Sequence, residues 1–217
     1  AMDRHDIFPH IEDCMGMTLR EWLLFHNVMH RHYTRYRGRK VLKPPFDWIV
    51  LGDIIEDTRP QVIVEIGSYE GGCALWMADF VKSIGLDCPV VSVDIKDLTG
   101  GLTHPGITWV RGNATDDATL KDVQRACGSR RGMVIEDSDH KEHVTSKLLE
   151  MYSPLVAPGC YLICEDTLCE YTNTPPFPGP LGAVKQFIAA HPEFVMDRTR
   201  EKYILTYNPM GYLLRQV

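Results

Sequence analysis

Five short apolar runs rich in β-branched residues, at 62–66, 90–95, 107–110, 133–135 and 161–164, alternate with stretches of helical periodicity at 71–84, 118–127 and 143–152. Strands separated by helices pair in parallel through right-handed crossovers, so this alternation predicts an α/β fold, Rossmann-like, with a mainly parallel, doubly wound sheet. Open sheets of that kind bind ligands at the carboxyl ends of their strands. There the chain concentrates its reactive residues. The first run ends in Glu65-Ile66-Gly67-Ser68-Tyr69-Glu70-Gly71-Gly72, the second carries Asp94, the fourth leads into Asp137-Ser138-Asp139-His140 and the fifth into Glu165-Asp166. A proline-rich loop over 174–180 precedes a helix expected at 181–190. Two final runs, 203–207 and 212–215, joined by Asn208-Pro209-Met210-Gly211, predict a closing antiparallel hairpin.

At 217 residues the chain suits one such domain, residues 44–217, preceded by a segment over 1–43 that the sheet does not need. Within that segment, 19–33 has a helical apolar pattern (Leu19, Trp22, Leu23, Phe25, Val28, Met29) and is expected to cap the cleft. Its end is basic and aromatic, from Arg31 to Lys40, which suits either a solvated face or a patch that attracts an acidic substrate. A net charge of −6 argues against nucleic acid as a partner. No apolar run approaches the length of a membrane span, and no secretory pattern opens the chain, so a cytoplasmic setting is expected. Ala1 before Met2 reads as an appended residue outside the fold. The seven cysteines are scattered and sit mostly in apolar runs, as reduced thiols do, and Cys160, Cys164 and Cys169 lack zinc-site spacing.

The glycine stretch after the first run lets backbone pass close to a ligand and directs free amides at it, although the spacing is not the G-x-G-x-x-G of dinucleotide folds. Glu65, Gly67, Ser68, Tyr69, Gly71 and Gly72 are the candidate contacts. Asp94, ending the second strand, is placed to accept the two hydroxyls of a ribose, or else to cap a turn. Asn113, Ala114 and Asp116 would face the base of a nucleoside, unless they form an ordinary Asx turn.

Asp137, Glu165 and Asp166 come from neighbouring strand ends and offer only oxygen, the donor set of a hard divalent cation such as Mg²⁺. Unpaired carboxylates this close would repel one another. His140, three residues beyond Asp137, titrates ordinarily at about 6.5 and suits a general base. Asp139 and His143 read as helix-start residues.

These residues resemble a family. The chain from Tyr36 onward is similar to class I S-adenosylmethionine-dependent methyltransferases of the cephalosporin hydroxylase-like group. That group includes the rhamnosyl O-methyltransferases and is related to metal-dependent macrolide sugar O-methyltransferases. The resemblance rests on Tyr36-Arg37-Gly38, Lys43-Pro44-Pro45-Phe46-Asp47, Val64-Glu65-Ile66-Gly67, Asp137-Ser138-Asp139-His140, Tyr161-Leu162-Ile163-Cys164-Glu165-Asp166-Thr167, Asp197-Arg198-Thr199-Arg200-Glu201-Lys202-Tyr203 and Asn208-Pro209-Met210-Gly211-Tyr212-Leu213. It implies that Glu65, Gly67, Asp94, Asp137 and the loop 112–116 hold S-adenosylmethionine. It further implies that Asp137, Glu165 and Asp166 hold Mg²⁺, and that His140 deprotonates the hydroxyl of a small-molecule acceptor, a sugar in the sugar-modifying members. Glu136 departs from the pattern, standing where relatives commonly carry an apolar strand residue.

Other classes share parts of this pattern. A nicotinamide oxidoreductase would use the glycine turn and Asp94 but not acids at two later strand ends; a metal-dependent hydrolase would use those acids but not the turn. A binding module would not need His140 among them. The basic residues beside the cleft make an anionic sugar such as a uronic acid an attractive acceptor, and a helix outside the sheet is a frequent source of contacts between copies, favouring a homo-oligomer.

Overall fold

The computed structural model describes residues 11–217, with the backbone only at His30. The Ala1-Met2 start and the first part of the 1–43 segment lie outside the described residues. Two helices, α1 (Ile11–Cys14) and α2 (Leu19–Tyr33), lead into a two-stranded hairpin of β1 (Arg35–Tyr36) and β2 (Arg39–Lys40), then α3 (Pro45–Thr58). The sheet follows as β3 (Ile63–Ile66), α4 (Gly72–Ser83), β4 (Val90–Asp94), β5 (Ile107–Arg111), α5 (Asp117–Cys127), β6 (Met133–Glu136), α6 (Glu142–Tyr152) and β7 (Tyr161–Cys164). The chain ends with α7 (Cys169–Thr172), α8 (Pro180–Ala190), β8 (Phe194–Met196) and β9 (Tyr212–Arg215).

Seven strands form one sheet in the order β5-β4-β3-β6-β7-β9-β8, parallel from β5 to β7 and antiparallel beyond. All four residues of β3, β6 and β7 are buried, so these strands lack the in-out alternation of a half-exposed strand and are mostly apolar, with Glu65 in β3 and Glu136 ending β6 as buried carboxylates. The crossovers β3-α4-β4 and β6-α6-β7 run in opposite directions along the sheet, so their right-handedness places α4 and α6 on opposite faces. Strand order therefore reverses between β3 and β6, and the crevice beyond their carboxyl ends is the expected ligand position.

The closing antiparallel pair is present, but its first member is β8, not the segment 203–207. That segment cannot join the sheet because its polar groups are engaged elsewhere. The Tyr207 amide and the Thr206 hydroxyl donate to the buried Asp47 carboxylate at 2.8 and 2.6 Å, and Ile204 has φ +64°. Helix α3 carries little signal in the sequence. Pro45 at its first turn marks its start, but apolar residues surround the helix and leave no clear period.

Helix α2 packs on the start of α3 and on the segment 203–207 through a chain of aromatic rings. Trp22 stacks on His26 with ring centroids 4.7 Å apart, His26 meets Phe46 at 5.4 Å, and Phe46 meets Tyr207 at 5.9 Å. At its amino-terminal end, Arg20 donates to the Thr172 carbonyl at 2.6 Å. None of the seven cysteines pairs with another. No helix among the described residues is long and apolar enough to cross a membrane.

Candidate active site

A cavity of about 770 Å³ opens at the reversal point, within the size range of small-molecule and cofactor sites. Gly67, Ser68, Tyr69, Asp94, Asn113, Ala114, Asp137, His140 and Asp166 all line it. These residues come from the ends of β3, β4, β5, β6 and β7. Glycine is required at position 67 by its φ of +105° and by proximity, since a Cβ there would stand 1.9 Å from the Asp137 carbonyl oxygen. At Gly72 a Cβ would meet the Lys40 carbonyl oxygen at 2.1 Å, so the amino-terminal hairpin lies directly on the start of α4.

Asp94 is fixed by two backbone amides: Tyr69 N–H donates to Oδ2 and Lys96 N–H to Oδ1, each at 2.9 Å. Each oxygen retains a lone pair for a further donor. Asn113 forms an Asx turn, its Oδ1 accepting from the Thr115 amide at 3.1 Å and hydroxyl at 2.9 Å, while it also lines the cavity. Glu65, Gly71, Gly72 and Asp116 are not on the cavity wall. Glu65 lies beneath the floor and accepts a hydrogen bond from Ser92, whose hydroxyl is 2.6 Å from that of Ser68. Burial pushes the Glu65 carboxyl up to about 7, against the opposing effects of Ser92 and Lys43. Asp116 is the residue just before α5, at its N-cap position.

Beside this surface, Asp137, His140 and Asp166 each place one potential ligand atom within 4.8 Å of the others. The His140 Nε2 lies 3.4 Å from Asp166 Oδ2 and 3.6 Å from Asp137 Oδ1. Its Nδ1 is buried with no hydrogen-bond partner. Three non-glycine residues on the cavity wall, Tyr69, His140 and Asp166, have φ of +47°, +55° and +57°; such backbone strain gathers at functional sites. Burial alone would lower the His140 pKa, but the Asp166, Asp137 and Glu136 charges outweigh it and hold the imidazole above its ordinary value. Asp166 is raised by burial and by Asp137, with His140 opposing.

Glu165 does not join this cluster. It is buried and paired with the ammonium of Lys43, which also contacts Asp137 Oδ2 at 3.2 Å. Its carboxyl is raised well above the usual range by burial and by repulsion from Asp137, with Lys43 pulling the other way. Glu136 is fully buried; it accepts from the Ser138 amide at 3.2 Å and from the Ser138 and Thr145 hydroxyls, pinning the turn that carries Asp137 and His140. The crowded carboxylates and the orphaned His140 nitrogen fit a site for a hard divalent cation with oxygen-rich ligands. Lys43 escaped the sequence reading as a site residue, its only signal being a lysine in the otherwise apolar run Val41-Leu42-Lys43-Pro44-Pro45. Arg31 and Lys40, noted there only within a basic stretch, both reach the cavity wall.

Comparison with known proteins gives a consistent picture. The model of the rhamnosyl O-methyltransferase/CmcI family matches residues 28–216. A rhamnosyl O-methyltransferase of Mycobacterium leprae is 31% identical over 191 residues, covering 84% of this chain and 83% of that protein. The Mycobacterium tuberculosis protein of the same name is 28% identical, with 84% and 78% covered. Among solved structures, CmcI with Mg and SAM superposes with a TM-score of 0.68 at 23% identity over all of this chain and 85% of the other. MycE, a methyltransferase from the mycinamycin biosynthetic pathway in complex with Mg and SAH, gives a TM-score of 0.51 at 22% identity over 70% of this chain and 45% of that one.

Proposed function

Because the chain belongs to the rhamnosyl O-methyltransferase/CmcI family, we propose that it moves the methyl group of S-adenosylmethionine to a hydroxyl of a sugar or sugar-containing small molecule, with a divalent cation, Mg²⁺ by preference, at the acidic cluster. The observation that carries this reading is a single cavity in which the glycine turn and Asp94 open directly onto Asp137, His140 and Asp166. The presence of Mg with SAM in CmcI, and of Mg with SAH in MycE, supports the pairing of the two groups.

When bound, S-adenosylmethionine supplies an electrophilic methyl group and the cation lowers the pKa of the acceptor hydroxyl. Gly67, Ser68 and Tyr69 give the cofactor a close backbone surface, Asp94 accepts from the ribose, and the segment 112–116 borders the base. Asp137 and Asp166 would supply oxygen ligands to the cation, with Glu165 held behind them by Lys43. His140 takes the hydroxyl proton as the oxygen–carbon bond forms and the sulfur–carbon bond breaks; the Asp166 and Asp137 charges stabilise the resulting imidazolium.

For the acceptor, the finer reading is an anionic sugar such as a uronic acid. Arg31 of α2 lines the cavity, and its Nε donates to Asn27 Oδ1 at 3.0 Å, which steadies the guanidinium and leaves its outer edge for a carboxylate. Copies of the chain would associate through Ile11, Met15, Leu19 and Val28, exposed on and around α1 and α2.

Titration calorimetry of S-adenosylhomocysteine, with and without Mg²⁺, on the wild-type chain and on Asp137→Ala tests the central claim. Micromolar binding with a Mg²⁺ response lost in the variant is expected; absence of binding under every condition refutes it.

A further inference from the structure

Lys43 is a lysine with 2% of its side chain exposed, and its ammonium lies between two carboxylates from different strands. It contacts Oδ2 of Asp137 at 3.2 Å, whereas the other oxygen of that carboxylate, Oδ1, faces His140 Nε2 at 3.6 Å. The two oxygens of Asp137 are therefore divided, one held by the ammonium and one presented to the cluster. Glu165 is held by the same ammonium through Oε1.

The local sequence explains how a lysine is kept there. Pro44 disfavours helical backbone at Lys43 and Pro45 starts α3, so the residue sits between the amino-terminal hairpin and a core helix. The preceding Val41 is buried, and its amide donates to the Thr34 carbonyl at 3.0 Å, which ties the approach to the end of α2.

We infer that Lys43 is a positioning residue for the divalent cation, acting from behind its carboxylate ligands. This rests on the metal reading proposed above. Two consequences follow from the geometry. The ammonium fixes the rotation of Asp137, so that Oδ1 is the oxygen presented to the ion, and it keeps the Glu165 carboxylate behind that ligand. It also offsets one of the three negative charges of Asp137, Glu165 and Asp166, leaving two for a divalent cation and removing the repulsion that would otherwise splay or protonate the site. Partners that orient metal ligands from behind typically contribute about 10–100-fold in affinity.

Calorimetric titration with Mg²⁺ alone, followed by S-adenosylhomocysteine, compares the wild-type chain with Lys43→Met, Lys43→Gln and Lys43→Arg. The expected result is a Mg²⁺ dissociation constant raised about 10–100-fold by Lys43→Met, by less in Lys43→Gln, which can still donate, and by only a few-fold in Lys43→Arg, which keeps the charge. Affinity for S-adenosylhomocysteine in the absence of metal stays within a few-fold and certifies the fold of each variant. Unchanged or tighter Mg²⁺ binding in a folded Lys43→Met or Lys43→Gln overturns the inference. Failure of the wild-type chain to bind Mg²⁺ while it binds S-adenosylhomocysteine instead removes the metal reading on which the inference stands.

Discussion

The carbonyl oxygen of Asp137 occupies the position that a side chain on Gly67 would need, with only 1.9 Å between it and a Cβ built there. The turn after β3 and the turn after β6 thus touch through backbone alone, and the cofactor surface and the acidic cluster share one wall. Gly67→Ala should push these turns apart. Its φ of +105° costs about 1–3 kcal/mol for a residue with a Cβ, and the collision adds to that. The expected outcome is a lower melting temperature together with at least a tenfold loss of S-adenosylhomocysteine affinity. A variant of unchanged affinity would show that the two turns move independently.

His140 faces the acidic cluster through Nε2, 3.6 Å from Asp137 Oδ1 and 3.4 Å from Asp166 Oδ2. Replacing it by alanine removes a proton acceptor without disturbing the cofactor surface. Turnover should fall by about 10²–10⁴-fold, while S-adenosylhomocysteine affinity remains within a few-fold of wild type. Single-turnover methyl transfer with calorimetry on the same preparation separates the two effects; equal losses in both would assign His140 to binding instead.

How far the sequence predicted this molecule depended on whether a residue's role was local. The parallel strands were legible because each is a short apolar run between helical stretches, and their alternation placed Asp94, Asp137 and Asp166 together at the carboxyl ends of the strands. The clustering of Asp137 with His140 was legible for the same reason, since three residues separate them. By contrast, Glu165 is paired with a lysine 122 positions away, and nothing in either neighbourhood announces that pairing. The segment 203–207 read as a strand from its composition, yet its amide at Tyr207 belongs to Asp47, 160 positions earlier. Long-range polar contacts of this kind override local propensity, and periodicity carries no trace of them.

Asp47 makes the acid side of the stability profile informative. Burial pushes its carboxyl up to about 6, although hydrogen bonds from Thr206, Tyr207 and Tyr212 and the charge of Lys43 oppose the shift. The folded chain therefore holds this proton more tightly than the unfolded one. Its contribution to stability is complete below the unfolded pKa of about 4 and is lost as pH rises through about 6, an effect on the order of 3 kcal/mol. Glu65, pushed up to about 7, acts with the same sign and extends the decline. Melting temperatures of Asp47→Asn should vary less than wild type between about pH 4 and 6 and keep the Glu65 component, which runs from about 4.5 to about 7. An identical slope in the two proteins would exclude Asp47 as a source of the decline.

Arg31 tests the acceptor. Its guanidinium stands on the cavity wall beside the cluster, and its positive charge acts on both His140 and Asp166. If its role is to receive a carboxylate, Arg31→Gln should lower kcat/KM for a uronic acid glycoside by about 10–100-fold, the contribution of a charge-assisted hydrogen bond. The same change should leave a neutral deoxysugar glycoside within a few-fold, because such an acceptor offers the guanidinium no charge. If Arg31 instead serves only to balance the acids of the cluster, its loss should weaken both acceptors alike and alter Mg²⁺ affinity. Competition between the two glycosides in one reaction, read by mass spectrometry of the methylated products, decides between these outcomes.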